Sequence, residues 1–249
     1  MLSFAVDDDE SDHFILFHQD YSPPSPPPPP PRPPTVSCEG DLDGVGSLDT
    51  TCQIVSDLNL TDSVYIQGTG NFFILPNVKV NCFSVPGCEI TINVTGNFSL
   101  GDNCSIIAGT FELAAWNATL NTRSFINTTS LAGDPPSQTS GTPHGLDGGR
   151  GGYGRRGACC LMNDSKRPED VWGGDAYSWS TLSTPWNYGR KGGTIAKDVD
   201  YGWGGGGQVK LDLKGYLVVD GSILTEGGEG RNNGGGGSGG SIHIMAHKI

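Results

Sequence analysis

The stretch from Gly202 to Ile249 places short runs of alternating apolar and polar residues between blocks of glycine. In the clearest run, Val209, Leu211 and Leu213 are each separated by one polar residue. Alternation at period two predicts strands, because successive side chains of a strand point to opposite faces. Sixteen of the 39 glycines lie between 202 and 240, and each costs a helix about 1 kcal/mol relative to alanine. The stretch is therefore expected to hold strands and no helix.

The same unit recurs elsewhere in the chain. Three echoes are detectable: Gly204–Leu211 on Gly237–Ile244 after 33 residues, Ile90–Leu100 on Val209–Val219, and Asn97–Leu100 on Asn117–Leu120 after 20 residues, with Ile106 recurring as Ile126. Short repeats that cannot bury their own apolar face stack on one another in solenoid proteins. The predicted fold is therefore all-β: a parallel β-helix-like solenoid of short strands with a long irregular Gly/Trp-rich loop.

Composition divides the chain into three parts. Residues 1–20 are predicted to be a disordered remnant, and residues 21–37 a linker in the polyproline II conformation, because ten of residues 21–34 are proline. Residues 38–249 are predicted to form the solenoid domain. Residues 131–203 are predicted to be a loop inserted into it, since Pro, Gly, Ser and Asn dominate there and four of the five tryptophans fall within it.

The last residues predict that the solenoid has no polar cap at its C-terminal end. Ile242, Ile244 and Ile249 finish the chain on an apolar strand, whereas solenoids need a polar cap to stay soluble. We expect the domain to be truncated at its C-terminus and to self-associate through that end.

Charge and hydropathy exclude two classes of partner. The net charge of -12 disfavours nucleic acid, because phosphate backbones are bound by clustered Lys and Arg. No apolar run approaches the ~18 residues of a transmembrane helix, so this sequence is not expected to span a membrane.

The compartment is predicted by glycosylation acceptors. Seven Asn-x-Ser/Thr triplets stand at Asn59, Asn93, Asn97, Asn103, Asn117, Asn127 and Asn163. Such a density favours a secreted glycoprotein over chance. The first twenty residues do not resemble a signal peptide, because an acidic run interrupts any apolar core, so we expect the signal peptide to be missing from this sequence. The alternative is a cytosolic protein whose acceptors are unused.

Seven cysteines allow two short disulfide-closed loops. Cys38 with Cys52, and Cys82 with Cys88, have spacings that can close in an oxidising compartment. This leaves Cys104, Cys159 and Cys160. The sequence holds no Cys-x-x-Cys, so zinc is not expected, and Cys104 is predicted to be a small buried hydrophobe.

Motifs that would indicate catalysis, cofactor binding or metal binding are weak or absent. Gly152–Gly157 matches the dinucleotide fingerprint only as a string inside a glycine-rich loop. His243 and His247 would lie roughly 13 Å apart on a strand, too far for one ion. The motif set of polygalacturonases is absent, as is a Gly-x-Ser-x-Gly elbow. We therefore expect no catalytic residue, metal or cofactor.

The loop suggests one ligand. Tryptophan faces stack on sugar rings and guanidinium groups pair with carboxylates, which suits an acidic polysaccharide such as pectin. The predicted contacts are Arg155, Arg156, Trp172, Trp179 and Trp186. The competing hypothesis is that these aromatic residues fold back on the solenoid as a satellite cluster.

Four segments carry a family resemblance. Gly44–Val55, Gly133–Pro143, Arg156–Cys160 and Glu169–Trp179 closely resemble a family of large plant glycine-rich secretory proteins, across about residues 17–249. The resemblance implies an upstream signal peptide, a longer glycine-rich ectodomain, membrane-spanning segments in longer members, and no established catalytic residues. It implies a secreted, cell-surface or cell-wall location, with the endomembrane system or vacuole as the alternative.

Three functions follow from these observations. The first is a non-catalytic structural or interaction module of a secreted or cell-surface glycoprotein. The second is a polysaccharide-binding module that uses the loop, and the third is a β-helix polysaccharide hydrolase or lyase, which would need a pair of carboxylates about 5–9.5 Å apart.

Overall fold

The described part of the chain contains strands and loops only. The computed structural model describes residues 34–133, 186–192, 204–230 and 235–249, all within one unit that runs from Arg32 to Ile249. In these ranges there is no helix, which confirms the all-β prediction. Accordingly, no described segment is a helix that could cross a membrane.

Sixteen strands follow one another along the chain. They are β1 (Val45–Gly46), β2 (Thr51–Ile54), β3 (Leu58–Asn59), β4 (Val64–Gly68), β5 (Asn71–Ile74), β6 (Lys79–Cys82), β7 (Glu89–Val94), β8 (Phe98–Leu100), β9 (Ser105–Ala108), β10 (Thr110–Ala115), β11 (Ala118–Leu120), β12 (Phe125–Asn127), β13 (Gln208–Leu213), β14 (Leu217–Val219), β15 (Ser222–Leu224) and β16 (Ser241–Met245). Short apolar runs predict strands around 64–66, 72–75, 78–80, 89–94, 98–100, 105–107, 111–114 and 118–120, and these lie close to β4 to β11. The sequence did not predict β1, β2, β3 and β12.

The strands form three sheets that the chain visits in turn. Sheet A has the order β16-β13-β10-β7-β4, sheet B the order β1-β2-β5-β8-β11-β14, and sheet C the order β15-β12-β9-β6-β3. Every neighbouring pair is parallel except β1 with β2. From β4 onward successive strands enter sheets A, B and C in that order, so one pass through the three sheets lies beside the next.

Strands on the two sides of the predicted loop belong to the same sheets. Thr110–Ala115 pairs in register with Gln208–Leu213, and β11 and β12 pair with β14 and β15. The regions before and after the loop therefore share one body. Of the predicted loop 131–203, only 131–133 and 186–192 are described, and both lack regular secondary structure.

The inward side chains of all three sheets pack into one core. Alternate residues of each strand point inward and form apolar rows across the sheets; examples are Ile90, Phe111 and Val209 in sheet A, Phe72, Phe98 and Ala118 in sheet B, and Val80, Ile106 and Ile126 in sheet C. Each of these nine is at most 5 % exposed. Burying a large apolar side chain contributes about 1.5–3 kcal/mol, so the rows hold the three sheets together.

Polar side chains link one pass to the next at the corners before sheet B. Asn71 Oδ1 accepts from the backbone N–H of Asn97 at 2.9 Å, and Asn97 Oδ1 accepts from Nδ2 of Asn117 at 2.9 Å. Asn117 Oδ1 in turn accepts from the backbone N–H of Tyr216 at 2.9 Å. We call Asn71, Asn97 and Asn117 the asparagine ladder.

A second corner, before sheet C, uses left-handed backbone. Asn77 (φ 68°), Asn103 (φ 57°) and Arg123 (φ 58°) each precede a sheet C strand by the same number of residues. Asparagine tolerates this conformation better than most residues. Asn103 Nδ2 also donates to Asn77 Oδ1 at 2.9 Å, so this corner too is tied between passes.

Glycine-rich segments pack backbone against backbone. We define the glycine layer as Trp186–Gly192, Gly204–Gly207 and Gly235–Gly240. Its chains bond directly: Gly189 N–H donates to the Gly206 carbonyl at 2.7 Å, and Gly206 N–H to the Ser238 carbonyl at 2.8 Å. These backbones come so close that a Cβ on Gly189 or Gly206 would overlap a neighbouring carbonyl oxygen. Glycine is therefore required here for close approach.

The final strand leaves core rows partly exposed. Ile242 and Ile244 of β16 continue the rows of Val209 and Leu211, yet Ile242 is 38 % exposed and Ile244 is only half-buried. Ile249 is 79 % exposed.

The two flanks of residues 134–185 meet, which yields a prediction. Gly133 lies against the ring of Tyr188, and Ala132 N–H donates to the Gly205 carbonyl at 3.0 Å. Replacing these 52 residues by a short Gly-Ser linker should preserve cooperative unfolding. A shorter connection also reduces the entropic cost of bringing its two ends together on folding. For a six-residue linker this stabilises the folded state by about 2 kcal/mol.

Circular dichroism during urea unfolding measures this effect. A deletion extended through Gly192 is the control, because it also removes the Tyr188 contacts and should be less stable. Loss of the cooperative transition in the shorter deletion would show that the two strand regions do not form one body.

Candidate functional site

The outward face of sheet A carries polar rows across its strands. One row contains Thr110, Gln208 and Ser241, and the next contains Thr91, Glu112, Lys210 and His243. Thr91, Thr110, Gln208 and Ser241 are each at most 8 % exposed although they point away from the core. Other residues therefore lie over these outward side chains.

The segment Trp186–Gly192 provides part of that cover. The hydroxyl groups of Tyr188 and Thr110 share a hydrogen bond of 2.6 Å. Ser241 Oγ donates to the Asn187 carbonyl at 3.0 Å, and the backbone N–H groups of Asn187 and Tyr188 donate to the Gln208 side-chain oxygen at 3.1 and 3.0 Å, in the amide orientation that satisfies both. The segment is thus held on three neighbouring polar positions.

Trp186 is part of this contact. Lys210 Nζ lies 5.8 Å from the centroid of the Trp186 ring, and the tryptophan is half-buried. A cation–π contact of this kind contributes about 0.5–1 kcal/mol at an exposed site. Of the five predicted polysaccharide contacts, Trp186 alone lies in the described ranges, and there it packs against the sheet.

The carboxylates of sheet A act on the covered tyrosine. Burial raises the pKa of Tyr188, the hydrogen bond to Thr110 lowers it, and the negative charges of Glu89 and Glu112 raise it further. Thr91 Oγ1 donates to Glu89 Oε1 at 2.6 Å, which fixes that carboxylate beside the covered row. With Asp212 also on the outward face, three carboxylates accompany the single cation Lys210 on β7, β10 and β13.

Metal ligation receives no support in the described ranges. They contain no cluster of three or more His, Cys, Asp or Glu side chains that could hold an ion. His243 is half-buried on β16, whereas His247 follows the strand and donates its backbone N–H to the Gly215 carbonyl at 2.8 Å. The two histidines thus do not share a strand, contrary to the predicted placement, because β16 ends at Met245 and the chain then turns toward Gly215.

Four cysteines form two disulfides. Cys38 is joined to Cys52 beside β2, and Cys82 to Cys88 between β6 and β7. Cys104 is buried with a free thiol, whose Sγ donates to the Leu75 carbonyl at 2.9 Å. Burial raises the pKa of this thiol, so it remains protonated at neutral pH and packs as a small hydrophobe.

Six of the seven predicted glycosylation acceptors are described. Asn59, Asn97 and Asn103 are exposed, and Asn93, Asn117 and Asn127 are half-buried. Asn59 and Asn127 lie on the outward face of sheet C, Asn93 on that of sheet A, and the others at corners. Their side chains also differ in the hydrogen bonds that they make within the fold.

The residues that anchor the 186–192 segment were not predicted from the sequence. Tyr188, Thr110 and Gln208 were not singled out, because each is an ordinary polar residue and the contact spans 78 residues of sequence. Of the asparagine ladder, the sequence predicted Asn97 and Asn117 as glycosylation acceptors only, and it did not predict Asn71. A regular signal was present, since Asn71, Asn97 and Asn117 recur at separations of 26 and 20 residues.

The remaining predicted residues lie outside the described ranges. They are Arg155, Arg156, Trp172, Trp179, Asn163, Cys159, Cys160 and the string Gly152–Gly157. Comparison of the whole chain with protein-family profiles, with curated proteins and with solved structures returns no match.

Proposed function

We propose that this chain is a non-catalytic structural or interaction module of a secreted or cell-surface glycoprotein, built as a parallel β-helix. The observation that carries the proposal is the use of polar side chains as links between successive passes through the sheets. The asparagine ladder ties three passes at one corner, and Asn77 with Asn103 ties two at another.

The β-helix is inferred from the order of the strands. From β4 to β16 the chain enters sheets A, B and C four times and returns to sheet A. Each strand pairs in parallel with the strand three positions later, and the inward rows meet in one core. Continuous winding of one chain around that core is the simplest connection that satisfies all of these pairings.

A structural role accounts for the sheet A face. Glu89 and Glu112 lie beside a covered tyrosine, and Tyr188, Gln208 and Ser241 are occupied in holding the 186–192 segment. Trp186 already contacts Lys210. This arrangement favours folding back of the segment over a sugar-binding platform.

Two further observations support a location outside the cytosol. Disulfides persist in oxidising compartments and are rare in the cytosol, and the described part of the chain holds two. Asn59 and Asn97 present acceptor amides at the surface of the folded body.

The test is to follow the endogenous protein with an antibody raised against residues 34–133. We expect it in the extracellular or cell-surface fraction, with mobility that changes on reduction and mass that falls after N-glycosidase treatment. A cytosolic pool of unmodified mass, with all cysteines accessible to alkylation after denaturation, would overturn the proposal.

A further inference from the structure

Two glycosylation acceptors of the asparagine ladder differ in the hydrogen bonds that their side chains make. Asn97 and Asn117 occupy equivalent corner positions on successive passes, because Phe98 and Ala118 are register partners. Both precede the hydroxyl residue that defines an acceptor triplet, Ser99 and Thr119. Their amide nitrogens have opposite roles in the ladder.

The amide nitrogen of Asn117 is committed to the fold. Its Nδ2 donates to Asn97 Oδ1 at 2.9 Å, and its Oδ1 accepts from the backbone N–H of Tyr216 at 2.9 Å. The Oδ1 also lies so close to Gly215 that a Cβ there would overlap it. The half-buried side chain is therefore fixed between two neighbouring passes.

The amide nitrogen of Asn97 is uncommitted. Asn97 is exposed and enters the ladder through its Oδ1 and its backbone N–H, while its Nδ2 donates to none of the residues that the structure describes. Asn59 shows the same arrangement on sheet C, because its Oδ1 accepts from Asn81 Nδ2 at 3.0 Å and its own Nδ2 has no described acceptor.

Glycosylation changes the nitrogen atom alone. Transfer from a lipid-linked oligosaccharide pyrophosphate forms a bond between sugar C1 and Nδ2, breaks the C1–O bond to the pyrophosphate, and removes one amide proton to a base of the transferase. At Asn97 and Asn59 every described bond of the side chain survives. At Asn117 the sugar would have to fit beside a donor that spans neighbouring strands only about 4.8 Å apart.

We propose that Asn59 and Asn97 carry N-glycans in the folded protein and that the asparagine ladder excludes a glycan from Asn117. Because transferases also act on chains that have not yet folded, a glycan could be added to Asn117 at that stage. The modified amide keeps one N–H, but the sugar would then lie where Asn117 packs between Asn97 and Gly215, which disfavours folding of that chain. This inference rests on the proposed passage through the secretory pathway.

The experiment expresses the full chain in eukaryotic cells behind an appended cleavable signal peptide. The appended signal makes the chain enter the secretory pathway whatever its native compartment, so failure of the proposed location and failure of the glycan pattern are separate results. Thr61→Ala, Ser99→Ala and Thr119→Ala each abolish one acceptor triplet and leave its asparagine in place. Thr61→Ser and Ser99→Thr are controls that keep the triplet.

The expected result is a loss of one glycan mass in Thr61→Ala and in Ser99→Ala, and no loss in Thr119→Ala. Glycopeptide mapping of the secreted monomer should show Asn59 and Asn97 modified and Asn117 bare, with any chain modified at Asn117 confined to the retained, misfolded fraction. A secreted, folded monomer that carries a glycan on Asn117 would overturn the proposal. A secreted monomer bare at both Asn59 and Asn97 would overturn it as well.

Discussion

Gly240→Ala is expected to lower the free energy of unfolding by about 3 kcal/mol, while Gly239→Ala beside it leaves stability within about 1 kcal/mol. A Cβ on Gly240 would overlap the carbonyl oxygen of Gly207, whereas a Cβ on Gly239 would lie 3.6 Å from the nearest atom, the Thr225 carbonyl oxygen. The second distance is an ordinary van der Waals contact.

The overlap at Gly240 cannot be relieved by a side-chain rotation, because the obstacle is backbone. Gly207 is held from both sides: its N–H donates to the Thr128 carbonyl at 2.8 Å, and its carbonyl accepts from Ser241 N–H at 3.1 Å. Movement of Gly207 would break the first bonds of β13 with β16. Neither Gly239 nor Gly240 has a positive φ, so both substitutions restrict the unfolded chain equally and the difference between them is steric.

Urea unfolding of the two variants, followed by far-ultraviolet circular dichroism, measures the difference. The midpoint should fall for Gly240→Ala and remain or rise slightly for Gly239→Ala, with equal slopes. Equal midpoints would mean that the glycine layer is not close-packed in solution.

The sequence echoes turn out to be neighbours in space. The 33-residue echo that aligns Gly204–Leu211 with Gly237–Ile244 matches the register that pairs Gln208 with Ser241 and Leu211 with Ile244. The 20-residue echo matches the pairing of Ala118 with Phe98, and Ile106 pairs with Ile126. Stacked strands face the same environments, so selection for burial reproduces the same residue types at each pass. For this reason most of the strands, and the stacking of the repeats that contain them, could be predicted from the sequence.

The glycine layer and the covered face of sheet A could not be predicted from such repeats. Glycine content predicted turns and the absence of helix, because composition reports conformational freedom and says nothing about which backbone lies opposite. The Tyr188 to Thr110 bond joins an irregular segment to a strand 78 residues away, and no period connects them. Irregular segments are fixed by individual contacts, whereas strands are fixed by repetition.

The asparagines show a third kind of limit. Asn97 and Asn117 fit the same acceptor pattern, and the pattern concerns the triplet alone. The two differ in their amide nitrogens. Nδ2 of Asn117 donates to Asn97 on the preceding pass, 20 residues earlier, whereas Nδ2 of Asn97 has no described acceptor. A local motif therefore predicted the chemistry that these residues share and missed the ladder that separates them.

Phe98→Ala is expected to cost about 3–5 kcal/mol of unfolding free energy, the second large effect. Phe98 is 1 % exposed and lies in the middle of an aromatic stack: its ring is 6.4 Å from that of Phe72, nearly parallel to it, and 6.3 Å from that of Phe111. Truncation removes both ring contacts and leaves a cavity that the rigid neighbouring strands cannot close, because each is paired on both edges.

Phe73→Ala is the matched control for that substitution. Phe73 is on β5, next to Phe72, but it points outward into a row between Gln53 and Ser99 and is only half-buried. Its truncation leaves no closed cavity, so it should cost about 1 kcal/mol or less. Calorimetry and urea unfolding of both variants check the difference. Similar losses for the two would place Phe98 outside a shared core, whereas a large loss for Phe98→Ala alone requires that residues from successive passes pack against one another in a single interior.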